Sequence, residues 1–518
     1  MTMKNLTKCS VTSLLLFAVS ATVNAVVEKP NIIFLLSDDQ RDGTFGAMGH
    51  PFVQTPHTDK LINGGVRFTN SYIATPVCAP SRISLFTGVP ERVHGVGFSS
   101  AYKLTGEQWA YSYPALVREA GYYTGFIGKY GVLYHTFKAE EAFDFWYAHH
   151  GWTRFFPKDH DHSDTIPYHD AKNDIITPIM GEAVKRFLET RSETQPFCLS
   201  VSFSVPHGSQ TRSMYNDYKE GRQMTRPASD NPKLKGHPIY DQLYRDHDVH
   251  IPDDTGTDPY RFIPKAIMNQ DKGRRKLYAY NYTRETCLEH HYRYYQQITG
   301  LDKVIGQIMD ELKKHGLDKN TVIIYASDHG LLMGEYGMGG KGLLYDLSSK
   351  IPCFIYDPTL PESDRGKQSD KLVSSLDITR TILDYAGVPA PQHMSGRSLR
   401  PLLSDPNTSD WRDELFLESL FTLRDTPFQE GIRRGPWKYV RMFDGKIHTD
   451  ANVDFSDRQP DFEQLFNLND DPGERNNLIA DYADNPILED FRESCRRQSQ
   501  QINEARRIYS KQFPQPTR

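Results

Sequence analysis

The stretch Asn31-Ile32-Ile33-Phe34-Leu35-Leu36-Ser37-Asp38-Asp39 is where this chain declares its fold. Its apolar residues are continuous rather than alternating, which predicts a parallel strand buried on both faces. The run stops at two adjacent carboxylates. Acids at the end of a buried strand are costly unless they are solvated, paired or metal-bound. In open α/β sheets, ligands bind outside the carboxyl ends of the strands. The acid pair therefore marks either a solvated turn or a cation site.

The same design recurs. Tyr122 to Ile127 predicts a strand ending in Gly128-Lys129-Tyr130, and Phe197 to Phe203 one ending near Pro206-His207-Gly208. Thr321 to Ala326 predicts another, ending in Ser327-Asp328-His329-Gly330. Singly, these ends read as a surface lysine, a loop histidine and a capping acid. Parallel strands would bring them to one edge. Between the strands, Ser112 to Ala120, Ile176 to Thr190 and His290 to His315 carry apolar residues at helical spacing. Alternating strands and helices predict a mostly parallel sheet covered on both faces.

The segment from His207 to about His290 is polar and aromatic, with few apolar runs. It reads as a solvated insertion or as the wall of a substrate cleft. Ile351 to Tyr356 predicts a further strand and Ser375 to Leu383 a capped helix. The composition turns polar around Ser404 to Ser409. Beyond it, Glu414 to Glu418 and Trp437 to Met442 read as strands, and Leu488 to Ile508 as a helix. These predict a smaller α+β domain with an antiparallel sheet.

A chain of 518 residues with net charge −5 has no basic footprint for nucleic acid. Lys4 and Lys8 precede the apolar run Val11 to Val19, and Val23-Asn24-Ala25 offers small residues for cleavage. This predicts a signal peptide over 1–25, export to the periplasm or beyond, and no membrane span. The boundaries expected are 26–405 for the large domain and 406–518 for the smaller one. Removing Cys9 leaves Cys78, Cys198, Cys287, Cys353 and Cys495, too few for a disulfide framework in so long a chain.

Cys78 sits in Thr75-Pro76-Val77-Cys78-Ala79-Pro80-Ser81-Arg82. Pro80 suits the first turn of a helix, which puts Cys78 at a helix N-terminus, where an anion is favoured. A buried thiol before an ordinary helix is the plain alternative. The pattern Cys-x-Pro-x-Arg followed by Ser84-Leu85-Phe86-Thr87-Gly88 resembles the signature of the sulfatase family. Glu91 to Val96, Gly128-Lys129, Pro206-His207, Asp328-His329-Gly330, Gly340-Lys341-Gly342 and Leu465 to Glu474 resemble that family's further motifs, in order.

The resemblance implies an alkaline-phosphatase-like α/β domain with a smaller C-terminal domain. It implies that a maturation enzyme oxidises Cys78 to formylglycine (3-oxoalanine). It implies metal ligation by Asp38, Asp39, Asp328, His329 and modified Cys78, with calcium favoured over magnesium by an oxygen-rich set. The aldehyde's hydrate would attack sulfur with one hydroxyl and expel sulfate through the other. Arg82 would help acidify that hydroxyl, Lys129 and Lys341 would bind sulfate oxygens, and His207 or Lys341 would protonate the leaving alcohol. Many relatives carry histidine where Gly131 stands; His135, Tyr130 and His94 are the candidates to replace it. The implied substrate is a sulfated polysaccharide or oligosaccharide, an algal galactan such as carrageenan or a glycosaminoglycan. A phosphatase or phosphodiesterase of the same superfold, and a non-catalytic glycan binder, are the alternatives.

Overall fold

Strand β1 (Asn31–Asp38) runs through the middle of an eight-stranded sheet. The computed structural model describes residues 29–98, 103–132, 135–151, 155–159, 168–207, 232–268, 283–420, 427–443 and 454–514. The signal-peptide reading falls outside them. After β1 come α1 (Pro56–Gly64), β2 (Val66–Tyr72), α2 (Cys78–Thr87), α3 (Glu91–His94) and α4 (Tyr113–Glu119). Then follow β3 (Tyr123–Lys129), β4 (Phe145–His149), α5 (Ile176–Thr190), β5 (Phe197–Pro206), α6 (Arg284–Lys314) and β6 (Thr321–Ser327). A short hairpin, β7 (Leu332–Met333) with β8 (Gly339–Gly340), leads to α7 (Asp346–Ser349), β9 (Cys353–Tyr356), β10 (Lys367–Ser374) and α8 (Ser375–Tyr385). The C-terminal part holds β11 (Glu414–Ser419), β12 (Phe428–Arg434), β13 (Trp437–Phe443), β14 (Phe462–Asn467) and α9 (Pro486–Gln512).

The large sheet has the order β10-β2-β9-β6-β1-β5-β3-β4. Every pairing in it is parallel except those of β9, which runs against both β2 and β6. The continuous apolar run of β1 follows from its position. Ile33 and Leu35 join the core formed with α5 and α6, while Ile32, Phe34 and Leu36 join the core formed with α2, α4 and α8. The C-terminal sheet β11-β12-β13-β14 is antiparallel throughout. One face packs on the large domain through Leu415, Leu417, Val440 and Met442. The other packs through Ile432, Tyr439 and Leu465 on α9.

The segment after β5 is not solvated throughout. Its described part, 232–268, buries Leu234, Tyr240 and Tyr244, and Arg245 pairs with Glu289 of α6 at 2.7 Å. The five cysteines among the described residues are free and buried, as the sparse spacing implied.

Helix α3 ties the two parts together. Arg92, fully buried, pairs with Glu418 at 3.1 Å and with Glu430 at 2.5 Å, and donates to Ser499 of α9 at 3.0 Å. Glu91, 3 % exposed, accepts a hydrogen bond from Thr75 Oγ1 at 2.7 Å. Burial, reinforced by Glu418 and opposed by Thr75 and Arg92, pushes Glu91 up to about 8. The folded chain thus holds a proton that the unfolded chain loses near pH 4.5. The resulting stability is complete below that pH and is lost as pH rises through about 8. Between about pH 5 and 8 we expect unfolding by urea to become easier with pH. Glu91→Gln should flatten that dependence by up to about 1.4 kcal/mol per pH unit. Identical pH slopes in the two proteins would contradict the assignment.

Candidate active site at the carboxyl edge of the sheet

The strand ends converge. β1 delivers Asp38 and Asp39, β6 delivers Asp328 and His329, β3 ends in Lys129 and β5 leads into His207. Helix α2 opens with Cys78 as its first residue, facing the same enclosure. Ligand atoms of Asp38, Cys78, Asp328 and His329 lie within 4.8 Å of one another, and so do those of Asp38, Asp39, Cys78 and His207. All nine site residues read from the sequence therefore meet here, once Arg82 and Lys341 are traced.

Arg82 runs back along α2 to donate Nε to Asp328 Oδ2 at 3.0 Å and Nη1 to the Lys129 carbonyl at 2.8 Å. Ser202 of β5 accepts a further bond from it. Its role in the geometry is to orient a carboxylate and to tie α2 to β3. Lys129 Nζ bonds Asp38 Oδ2. Lys341 Nζ reaches Asp39 Oδ1 at 2.7 Å and Cys78 Sγ at 2.8 Å. His329 Nε2 lies 3.3 Å from Cys78 Sγ, and its Nδ1 lies 3.2 Å from Asp39 Oδ1. His207 Nε2 stands 3.9 Å from Asp39 Oδ2. With 21 % of its side chain exposed, His207 is the member of the set most open to an incoming molecule.

The electrostatics follow from enclosure. Burial opposes the charge on Asp38, yet Lys129, His207, Arg82 and Lys341 outweigh it and hold that carboxyl well below its usual range. Burial pushes Asp39 up to about 6 against the pull of Lys341 and His329. Lys341 is held well above its ordinary value: burial opposes its charge, but Asp39, Cys78 and Asp38 prevail. Burial drives His207 well below its ordinary value, Asp38 opposing and Lys129 and Lys341 assisting.

One atom points to a missing charge. Asp38 Oδ1 is buried without a hydrogen-bond partner among the described residues. A buried carboxylate oxygen left bare is costly, and a cation between Asp38, Asp39, Asp328, His329 and residue 78 would satisfy it. Three carboxylates and one imidazole beside the Cys78 thiol form a set that could hold a divalent cation.

Sequence reasoning missed the residues that hold this set. Asp39 adopts a left-handed backbone, φ 68°, which costs about 1–3 kcal/mol in a non-glycine residue. The fully enclosed Tyr294 of α6 donates its hydroxyl to the Asp39 carbonyl at 2.8 Å and accepts from Arg41 N–H at 2.8 Å. Only a helical tyrosine was legible there. His149 also escaped notice, since β4 has no clear apolar run. It lies beside Lys129 in the sheet, 2.6 Å from Tyr168 Oη and 3.2 Å from Ser204 Oγ. Gly131 has a steric cause: at φ 76° its Cβ would come within 2.4 Å of Arg82 Cδ. Of the candidates to replace a histidine there, His94 bonds Ser84 at 3.1 Å, Tyr130 stacks on Phe86, and His135 packs on Phe137 and His150.

The chain is similar to known proteins in sequence and in fold. The sulfatase family model covers residues 30–388, and the model for the N-sulphoglucosamine sulphohydrolase C-terminal region covers 334–501. An N-acetylglucosamine-6-O-sulfatase of Bacteroides thetaiotaomicron is 26% identical, over 88% of this chain and 84% of its own. A solved structure in complex with its substrate D-glucosamine-2-N,6-O-disulfate superposes with TM-score 0.65 and 22% identity, covering 94% of this chain and 99% of its own. The phosphonate monoester hydrolase of Agrobacterium radiobacter shares the fold at TM-score 0.67 and 20% identity, over 93% of this chain and 96% of its own.

Tyr294→Phe removes one oxygen and strands both the Asp39 carbonyl and the Arg41 amide. The expected loss of stability is about 1–3 kcal/mol, read from urea unfolding. A loss indistinguishable from zero would show that the left-handed turn at Asp39 does not lean on Tyr294.

Proposed function

The chain belongs to the sulfatase family and is a sulfuric ester hydrolase; from that premise we propose that it removes sulfate from a sulfated carbohydrate. The carrying observation is that the Cys78 thiol, at the opening of a helix, lies beside Lys341 and His329 in a carboxylate-lined enclosure. Formylglycine at position 78 would supply a hydrated aldehyde as nucleophile, and a calcium or magnesium ion held by Asp38, Asp39, Asp328, His329 and residue 78 would offset negative charge.

The remaining work falls to this chain's own groups. Lys341 Nζ, 2.8 Å from the position-78 sulfur, is placed to touch a sulfate oxygen while it steadies residue 78. Lys129 shares the neutralisation from the other side. Arg82 bonds Asp328 at 3.0 Å, which supports a positioning role beside the part in acidifying the nucleophile that the family resemblance implies. The N-terminus of α2 favours an anion. His207, the open member of the set, is placed to protonate the leaving oxygen, and bound sulfate would favour its imidazolium form. Lys341 is the alternative donor.

Both sugar-directed proteins above favour a carbohydrate substrate. Glycosaminoglycan-type sugars and algal galactans such as carrageenan are the classes to test. Export by the N-terminal segment to the periplasm or outside the cell would bring the protein to such polymers and require a formylglycine-generating partner. No described helix is long and apolar enough to cross a membrane.

The peptide containing Cys78 from active protein should be about 18 Da lighter than the thiol, or close to thiol mass as the hydrate, with an aldehyde that accepts a hydrazide label. Full activity without aldehyde would remove the proposed nucleophile. Cys78→Ala should abolish turnover with the fold retained. Chelation should abolish it reversibly, with calcium restoring it. On a panel of defined sulfated glycans we expect desulfation of at least one. Activity confined to aryl sulfates would refute the carbohydrate reading, and two bound zinc ions with phosphate-ester preference would favour a phosphatase.

A further inference from the structure

Unlike the site residues at the strand ends and on α2, Lys341 sits in a loop. It stands between Gly340 at φ 91° and Gly342 at φ 88°. Left-handed backbone on both sides leaves its direction to whatever grips the flanking loop. That grip comes from the C-terminal sheet.

The Gly342 carbonyl accepts from Ser419 Oγ at 2.8 Å and from Gln429 Nε2 at 2.9 Å. The same Gln429 accepts the Leu344 N–H at 3.1 Å, so one amide clamps both sides of Leu343. Glu474 accepts the Asp346 N–H at 2.5 Å and pairs with Lys438 at 2.7 Å, and Lys438 pairs with Asp346 at 2.7 Å. Ser419, Gln429, Lys438 and Glu474 are all within 1 % of complete burial. Leu343, Leu344 and Tyr345 meanwhile fill the face made by Leu415, Leu417, Val440 and Phe466.

We infer that the β11–β14 sheet is a positioning template for Lys341, with Gln429 as its principal clamp. The sheet adds nothing that touches Cys78 in the described contacts. It sets where Lys341 Nζ stands between Asp39 and residue 78. The inference rests on the proposed role of Lys341 as a sulfate ligand. A buried amide that satisfies two backbone groups is hard to replace: an apolar substitute leaves both stranded.

The test is a cycle of Gln429→Leu, Lys341→Ala and the double variant in the full-length protein. Two quantities are read: turnover of a sulfated substrate, and affinity for inorganic sulfate. Tyr439→Phe is the control. It deletes a partly buried 2.6 Å hydrogen bond to Glu463 on the face of the same sheet turned to α9. Gln429→Leu should lower kcat about 10- to 100-fold, as expected for a displaced transition-state ligand, and weaken sulfate binding. Tyr439→Phe should leave both unchanged while losing comparable stability. In the double variant, sulfate affinity should equal that of Lys341→Ala alone, because the clamp acts through the lysine. Sulfate binding remains measurable even if turnover vanishes.

Independent, multiplying losses in the double variant would overturn the inference, as would normal kcat and sulfate affinity in Gln429→Leu. If Lys341→Ala alone changes neither quantity, it is the assignment of Lys341 as a sulfate ligand that fails. Should Gln429→Leu not fold, Ser419→Ala, which removes one of the two bonds to Gly342, is expected to show the same pattern at smaller amplitude.

Discussion

Everything at the carboxyl edge of the large sheet depends on balancing carboxylates that have been taken out of water. Asp38, Asp39 and Asp328 are 0–1 % exposed, and an unpaired buried ion carries a penalty of several kcal/mol. Arg82, Lys129 and Lys341 supply the compensation, each from a different element. The sheet order β6-β1-β5-β3 puts the required ends side by side. Even so the Asp38 Oδ1 atom has no hydrogen-bond partner among the described residues. Three cations face three carboxylates, and this one oxygen is left with capacity that a bound cation would use.

The two backbone irregularities at the site are sustained in the same way. Asp39 is left-handed, and Lys341 stands between two left-handed glycines. Such conformations persist where rigid surroundings over-determine them. For Asp39 the surroundings are α6 and β6, through Tyr294 and Asp328. For Lys341 they are a second sheet from the far end of the chain. A catalytic edge and a C-terminal domain that read as separate modules are, at the level of hydrogen bonds, one object.

The ends of β1, β3, β5 and β6 were legible because strands buried on both faces have continuous apolar runs that stop where chemistry begins. The residues gathered at those ends were legible for the same reason, and the resemblance to the family motifs followed the same order. β2 and β4 were not legible. Val66 to Tyr72 mixes polar and apolar residues near the edge of the sheet, and Phe145 to His149 is short. The antiparallel run of β9 was invisible, since a short apolar strand has no direction in its composition. Tyr294 and Gln429 were hidden for a different reason. Each acts across more than eighty residues of sequence by a contact to backbone, and backbone leaves no trace in the identity of the partner.

Cys78 is 6 % exposed, roofed by His329 and Lys341, and its helix is followed directly by α3, whose arginine is locked between Glu418, Glu430 and α9. That burial imposes an order of events. Any macromolecular reagent that is to act on a side chain so enclosed would have to meet residue 78 before the tertiary structure closes. The partners of Arg92 lie 326 to 407 residues further along the chain, and at ~5–20 residues per second their arrival lags by tens of seconds. The lock that secures the finished site thus also leaves a window during biosynthesis in which the cysteine is still within reach.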